Sequence, residues 1–450
     1  SGRERPTAGG GVERRRPVTF SRFADASSHR TPVGFSGDTI ISWDSLRFQP
    51  RFTATAANIG YFWWSNDIGG HMLGGSDDTM AARWFQLGCF SPINRLHSSN
   101  SGFTSKEPWR YSRDARATME AHLRLRHRLV PYLYTWARRS AGEGIAPVRP
   151  VYHDHPRELA AYEHRGSFCF GDLLVVPFTS PLDVATGLGR ELTWLPDGVW
   201  YDLPTGRRYE ATTGGRGRML SLSRPLDRIG VLARAGSVIP LAGNLTEAAG
   251  DNPRELEIVV VPGGSGSFTL EEDDGSAQPG QDQIARTHMA LTWPEAEEED
   301  GADVVLRIRL EGAAEVVPAS RLVTVRLLAG QVAGAWLGVG ERARRLATEE
   351  VSGDGFTLGA GTLVHLEELS RQELIDGVQL VLRGTKHSPA DWRDEVHALL
   401  DAARVEYMAK DLAWDAVQRG LSGTALLGEL EALGLPETLR AAVAEVLPHS

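Results

Sequence analysis

The sequence has little cysteine and no long hydrophobic segment. Only two of its 450 residues are cysteines, Cys89 and Cys169, and apolar or aromatic residues flank both. We therefore expect buried free thiols rather than a disulfide framework, which predicts a reducing, cytoplasmic location. No apolar run approaches the roughly 20 residues of a membrane-spanning helix and no signal-peptide pattern opens the chain, so no membrane partner is predicted.

Basic residues are outnumbered by acidic ones. The 48 lysines and arginines stand against 58 aspartates and glutamates, which gives a formal charge of −10 and a pI near 5.8. The basic clusters at residues 3–6 and 13–17 are short and flank a glycine run, so we interpret them as solvated loop arginines. No nucleic-acid partner is predicted. The hydrophobic fraction of 41% and the charged fraction of 24% are typical of a soluble globular protein, and the length indicates about two to four domains.

The pattern of the chain changes three times. Over residues 1–165, apolar strand-like runs alternate with helical periodicity, which predicts a parallel α/β arrangement. Residues 166–244 and 245–367 alternate β-branched or aromatic runs with glycine, proline and aspartate turns, which predicts a small antiparallel β domain and a second β-rich domain. Residues 368–450 carry leucine, valine and alanine at helical spacing, which predicts a helical tail for packing or self-association. The elements predicted in the first region are strands 16–22, 32–37, 61–65 and 148–152 and helices 39–57, 77–87 and 113–139.

Two acidic residues follow predicted strands directly. Asp38 lies in Ser36-Gly37-Asp38-Thr39, and Asp67 follows the apolar run that begins at Tyr61. Because the carboxyl ends of parallel strands meet at one edge of a barrel, we expect the two carboxylates to share a pocket, one as a protonated acid and one as a base or ligand. Spacing alone leaves two alternatives open, a helix cap for Asp38 and a turn residue for Asp67.

The surrounding residue types suit a sugar, because aromatic rings cover the apolar faces of pyranoses while Arg22 and His97 can bind hydroxyls. Taken singly, His97 also fits a structural histidine, and Arg83 and Arg95 fit structural ion-pair partners. The segment 153–155 reads His-Asp-His, but its spacing offers no further ligand, so neither a metal nor a cofactor is predicted. The candidate aromatic residues are Phe35, Trp63, Trp64 and Trp84.

Four collinear stretches are more specific: SRFADASSHRTPVGFSGDT, WWSNDIGGHMLG, ARWFQLGCFSPINRLHSSNS and KEPWRY. Together they resemble the carboxyl-terminal half of the catalytic barrel of glycoside hydrolase family 31, the α-glucosidase and α-xylosidase family. The resemblance continues through FCFGDLLVVPFTSP and WLPDGVWYDLPTG to LEEDDGSA, and so covers about residues 16–300. It implies an α/β fold in which the carboxyl-terminal half of a (β/α)₈ barrel precedes two β-sandwich domains, whereas the helical tail has no counterpart in the family core.

The resemblance also implies roles for individual residues. In this family the aspartate of the Gly-Asp motif is the general acid/base, and Asp38 occupies that place. Three positions match the residues that bind sugar in the −1 subsite: Arg22, Asp67 and His97. Phe35 stands where the family often has an aromatic wall. His71 stands where many members carry phenylalanine, so a different leaving-group or aglycone preference is left open.

The expected function is retaining hydrolysis of α-linked glucosides, with an α-glucoside oligosaccharide as substrate. Retention needs two carboxyl groups about 5 to 5.5 Å apart, and the family's nucleophile, an aspartate in a Trp-x-Asp-type strand motif, has no match here. We therefore expect the nucleophile in a missing amino-terminal part, which is either a separate polypeptide or a cleaved part of one protein. A homo-oligomer is also left open. The alternatives are a non-catalytic carbohydrate-binding relic, or a same-fold α-xylosidase, transglycosylase or sulfoquinovosidase.

Overall fold

The computed structural model describes most of the chain, and the ranges are 4–6, 12–14, 18–22, 25, 27–31, 33–212, 214–248, 250–275, 283–294, 303–338, 340 and 343–448. The strands Glu4–Pro6 and Val12–Arg14 pair antiparallel at the start of this part. The first residues of the strand predicted at 16–22 lie outside the described residues. No helix within these ranges combines the length and the apolar character that crossing a membrane would require.

A small parallel sheet opens the α/β region. Its strands Phe20–Ser21, Val33–Phe35 and Trp63–Ser65 pair in that order, all parallel. Parallel bridges from Ser65 to Ile93 and from Ile68 to Leu96 extend the same edge. The helices Trp43–Thr55 and Asp78–Cys89 follow the second and third strands, so the predicted alternation of strand and helix is confirmed. Every strand consequently delivers its carboxyl end to one edge of the sheet.

Two of the predicted helices differ from the observed ones by more than two residues. The first helix begins at Trp43, because the Ser42 hydroxyl accepts a hydrogen bond from the Ser45 N–H at 3.2 Å and so caps the first turn. The cap interpretation of Asp38 was therefore wrong, and its carboxylate remains available for another role. The long helix predicted at 113–139 is two helices, Arg113–Arg128 and Val130–Glu143. Pro131 in the first turn of the second helix has no N–H to donate, which favours a break there.

The strand Val148–Pro150 belongs to an antiparallel sheet rather than to the parallel one, which corrects the prediction for 148–152. It pairs with Phe168–Phe170, so this sheet includes residues on both sides of the boundary predicted at 165. A short apolar strand has the same sequence pattern in either direction, so its partner decides its orientation. The six strands, in spatial order, are Arg208–Glu210, Val199–Asp202, Gly230–Arg234, Leu173–Val176, Phe168–Phe170 and Val148–Pro150. A separate antiparallel pair joins Gly189–Leu195 to Arg218–Arg224.

The second β region contains two larger sheets and the small pair Gly330–Gln331 with Lys386–His387. One sheet has the order Val238–Ala242, Glu255–Val260, Ser320–Leu328, Gly361–Ser370 and Thr348–Val351. The other has the order Gly266–Glu272, Ala285–Thr292, Val304–Gly312, Val378–Arg383, Gly334–Leu337 and Arg344–Leu346. All pairs are antiparallel except Glu255–Val260 with Ser320–Leu328.

Both boundaries of this region differ from the prediction. Val238–Ala242, expected in the first β domain, pairs with Glu255–Val260 of the second. Val378–Arg383, expected in the helical tail, lies inside the six-stranded sheet. The chain enters that strand because Gly377, at φ 88°, follows the short helix Arg371–Asp376 in a backbone conformation that favours glycine.

The helical tail begins at Trp392 rather than at residue 368. Its four helices are Trp392–Ala402, Tyr407–Gln418, Gly423–Ala432 and Glu437–Val446. They enclose a hydrophobic cluster of their own that includes Val396, Leu400, Ala413, Val417, Leu426, Leu430, Leu439 and Val443. The tail contacts the first β domain through two carboxylates, Glu395 and Glu445, which pair with Arg207. Packing within the chain is thus observed, and self-association stays a prediction.

Arg83 joins the α/β region to the first β domain. The side chain is fully buried and donates hydrogen bonds to the carbonyl oxygens of Arg224, Pro225 and Arg228, at 3.0, 3.0 and 2.6 Å. Burial lowers the pKa of Arg83 to about 9. The expected ion-pair role was wrong for this residue, because its hydrogen-bond partners are carbonyl oxygens and the side-chain amide of Gln86.

Candidate active site

Asp38 emerges at the carboxyl end of the strand Val33–Phe35. Gly37 turns the backbone at φ 83°, a conformation that favours glycine, and places the acid at the sheet edge. The Asp38 Oδ2 atom lies 3.9 Å from Nη2 of Arg22, and the two side chains are 37% and 52% exposed. The acid and its arginine therefore face solvent together, within reach of a ligand.

Asp67 is buried completely beside Asp38. Its Oδ1 accepts a hydrogen bond from Arg95 Nη2 at 2.5 Å, and its Oδ2 accepts a longer one from the Thr39 N–H at 3.3 Å. The expected ion-pair role of Arg95 is confirmed. Asp67 also begins a turn, since its carbonyl accepts from the Gly70 N–H. The hydrogen bond from Thr39 and the ion pair with Arg95 therefore hold Asp67 between the loop that contains Asp38 and the segment that contains Arg95.

His71 lies between the two carboxylates. Its Nε2 is 4.0 Å from Asp38 Oδ2, and its Nδ1 is 3.9 Å from Asp67 Oδ2. The His97 ring packs against it with a centroid distance of 4.7 Å. The backbone N–H of His71 donates to the Thr39 carbonyl oxygen at 2.7 Å, which fixes the backbone from which the ring extends. The structure thus brings Asp38, Asp67 and His97 into one cluster, and His71 lies at its centre.

The aromatic residues divide into two groups. Phe35 stacks on Phe20 with ring centroids 5.4 Å apart, and the guanidinium of Arg95 lies 5.0 Å from the Phe35 centroid. The guanidinium of Arg22 lies 5.7 Å from the same centroid, so Phe35 packs beside both arginines of the site. Trp64 and Trp84 are 4% and 0% exposed, so the expectation that they cover a sugar was wrong and both are core residues.

Lys106 is a site residue that spacing did not predict, although it lies in the KEPWRY stretch. It is buried over Gly69. Burial lowers the pKa of Lys106, and the negative charge of Asp67 offsets only part of that decrease. It lines a groove of about 270 Å³ together with His97. Burial lowers the pKa of His97, and the charge of Arg95 lowers it further, so a neutral imidazole is favoured beside the groove.

The segment 153–155 forms no cluster. Asp154 forms a bidentate ion pair with Arg149, with contacts of 2.7 to 3.1 Å. The Nε2 of His153 contacts Asn58 Oδ1 at 2.8 Å, and the ring of His155 packs edge-on against Trp194. The three side chains therefore have three separate partners.

The side chain of Tyr61 packs closely against Gly34, in the strand that leads to Asp38, and this contact can be tested. Tyr61 passes beneath Gly34 so closely that an added Cβ would lie 1.3 Å from its hydroxyl, which contacts Ser21 Oγ at 3.1 Å. We expect Gly34→Ala to displace Tyr61 and to lower the free energy of unfolding by about 1–3 kcal/mol, measured by chemical denaturation. The matched control is Gly75→Ala, where nothing lies within 4 Å; equal stability of both variants would contradict the argument.

Carboxylates, arginines and histidines gathered at the carboxyl edge of parallel strands are typical of the active sites of barrel enzymes. The comparisons specify the class further. Residues 3–136 match the TIM-barrel domain of glycosyl hydrolases family 31, and residues 144–239 match the C-terminal domain of the same family. The chain belongs to glycoside hydrolase family 31.

Relatives and structural neighbours of three activities resemble the chain. It is 29% identical over 296 residues to an α-xylosidase of Saccharolobus solfataricus, covering 64% of this chain and 38% of that protein. It is 26% identical over 315 residues to the lysosomal α-glucosidase of Mus musculus, covering 66% of this chain and 32% of that protein. A dextranase structure of Flavobacterium johnsoniae, 20% identical, superposes with a TM-score of 0.66 over 82% of this chain and 46% of its own. The chain thus spans about a third to less than half of the length of each of these proteins.

Proposed function

We propose that this chain is part of a retaining glycosidase that acts on α-linked glucosides, with Asp38 as the general acid/base. The observation that carries the proposal is the position of Asp38 at a strand end, within 4.0 Å of Arg22 and His71 and beside the Asp67–Arg95 pair. Asp38 in its protonated form donates to the glycosidic oxygen as the bond to the leaving sugar breaks. The resulting carboxylate then takes a proton from the water that attacks the glycosyl-enzyme.

The sugar-binding residues in this proposal are Arg22, Asp67 and His97, and Phe35 is the aromatic wall of the pocket. Arg22 is half exposed and can donate to a hydroxyl, and His97 faces the groove beside Lys106. Arg95 holds Asp67 in one orientation, so the carboxylate is positioned before the ligand arrives. Such preorganisation lowers the ordering cost of binding.

The nucleophile in this proposal comes from a carboxylate outside these 450 residues, on a separate half or elsewhere in one polypeptide. Asp67 is unsuited to attack because its Oδ1 is bound to Arg95 at 2.5 Å. The thiols are unsuited as well, since burial raises the pKa of Cys89 to about 12 and also raises that of Cys169. Both cysteines are free, which supports the further proposal of a reducing compartment such as the cytoplasm.

The proposal is tested by assaying the chain alone and together with any encoded partner half. Aryl α-glucoside and aryl α-xyloside are compared as substrates, and maltose binding is measured by calorimetry. Turnover of the glucoside supports the proposal. Turnover confined to the xyloside would instead indicate an α-xylosidase, the activity named for the Saccharolobus solfataricus relative. Maltose binding without turnover in every combination would identify a carbohydrate-binding relic.

A further inference from the structure

Asp67, His71 and His97 form a compact group of metal-ligating side chains. One ligand atom from each lies within 4.8 Å of the other two. Asp67 is fully buried, and the side chain of His71 is 17% exposed. The group is therefore partly enclosed and open on one side.

The donor set is that of a borderline-soft divalent cation. Two imidazoles and one carboxylate match the three protein ligands of many zinc sites, in which a fourth position is left for water. Zinc–nitrogen and zinc–oxygen bonds of about 2.0–2.2 Å place tetrahedral ligand atoms roughly 3.3 Å apart. The ligand atoms therefore need to approach by no more than about 1.5 Å, a distance that rotation of imidazole side chains can supply.

One atom of the cluster is available to bind a cation. The buried Nδ1 of His71 has no hydrogen-bond partner among the described residues, although buried polar atoms are normally satisfied. Its nearest acidic atom, Asp67 Oδ2, is 3.9 Å away, which is too far for a hydrogen bond. A cation between these two atoms would give Nδ1 a partner and would bind Oδ2, which otherwise accepts the long hydrogen bond from the Thr39 N–H at 3.3 Å.

Arg95 prepares Asp67 for this role. It occupies Oδ1 at 2.5 Å and leaves Oδ2 toward His71. Outer contacts of this kind orient metal-ligating carboxylates. The same arginine also carries positive charge near the cation, so we expect a weaker affinity than that of a structural zinc site.

We propose that Asp67, His71 and His97 bind a divalent cation of the Zn²⁺ class, and that the bound cation excludes sugar from the pocket. The exclusion rests on the proposed function, since Asp67 and His97 are also the proposed sugar ligands. The binding itself rests on geometry alone. Occupancy makes the cation an inhibitor of the site and gives it no part in the reaction.

The test uses the full chain after removal of metal with a chelator. Zn²⁺ is titrated by calorimetry, and Co²⁺ is followed by its visible absorption, which is intense only in tetrahedral coordination. We expect one equivalent to bind and His71→Phe to weaken binding at least tenfold, while His153→Ala, in the segment without a cluster, leaves it unchanged. Circular dichroism checks that both variants are folded.

Equal binding by wild type and His71→Phe, or loss of binding in His153→Ala, would overturn the metal site. A competition arm separates the two hypotheses. If saturating maltose weakens Zn²⁺ binding, both hypotheses are supported. If Zn²⁺ binds with the expected variant pattern and maltose has no effect, the metal site stands and the shared sugar site is rejected.

Discussion

An Asp38→Asn variant is expected to hydrolyse maltose-type α-glucosides about 10²- to 10⁴-fold more slowly in kcat/KM than the unchanged enzyme. Asparagine keeps the size of the side chain but cannot transfer a proton to the departing oxygen. The sugar leaving group of maltose is a poor one and needs that proton. The measurement is made in the assembly that, on the proposed function, combines this chain with the carboxylate nucleophile.

The dependence on leaving group distinguishes acid catalysis from a general loss of structure. A 4-nitrophenyl α-glucoside has a leaving group that departs without protonation, so its glycosylation step is expected to be nearly unaffected. Azide, which attacks without losing a proton, is expected to restore release of the glycosyl-enzyme. Asp44→Asn is the matched control, because Asp44 is 92% exposed on the following helix and pairs with Arg47. Equal losses for maltose and for the aryl glucoside would contradict the assignment.

Replacing Glu445 by alanine is expected to lower the free energy of unfolding by about 3–5 kcal/mol. The Glu445 carboxylate is 2% exposed and accepts hydrogen bonds from Arg224 at 2.5 Å, Tyr209 at 2.6 Å and the Ser223 N–H at 2.7 Å. Arg207 contacts it at 3.1 Å. Truncation leaves a buried guanidinium with fewer partners, which costs more than the loss of the contact itself.

The pH dependence of stability gives a second readout. Burial raises the pKa of Glu445, but the charges of Arg224 and Arg207 outweigh burial and hold this pKa below its ordinary value. The stabilisation is therefore complete above the ordinary pKa of a glutamate, roughly 4.3, and is lost as the pH falls through the lower folded-state value. In Glu445→Ala this part of the acid sensitivity is expected to disappear, measured by urea denaturation at neutral pH and at successively lower pH.

Glu437→Ala is the matched control for the tail. Glu437 lies on the same helix, is 76% exposed and pairs with the exposed Arg190. Exposed pairs of this kind contribute about 0–1 kcal/mol. Similar losses in the two variants would show that the buried network at Glu445 does not attach the tail to the first β domain.

The amino-acid sequence by itself determined the order of elements and the positions of the chief candidate residues. Asp38 and Asp67 each follow an apolar run, and strand–helix alternation forces such positions to one edge of a parallel sheet. The stretches around Arg22 and His97 were long enough to indicate the family without any coordinates. These inferences depend on local pattern and on chain order, which a sequence contains directly.

Only the tertiary structure decided what depends on distant segments. His71 lies between two carboxylates because separate loops place it there, and Val148–Pro150 is antiparallel because Phe168–Phe170 pairs with it. Glu445 and Arg224 meet across 221 residues. No local periodicity encodes these contacts, since side-chain direction and strand partner are set by the packing of the whole fold.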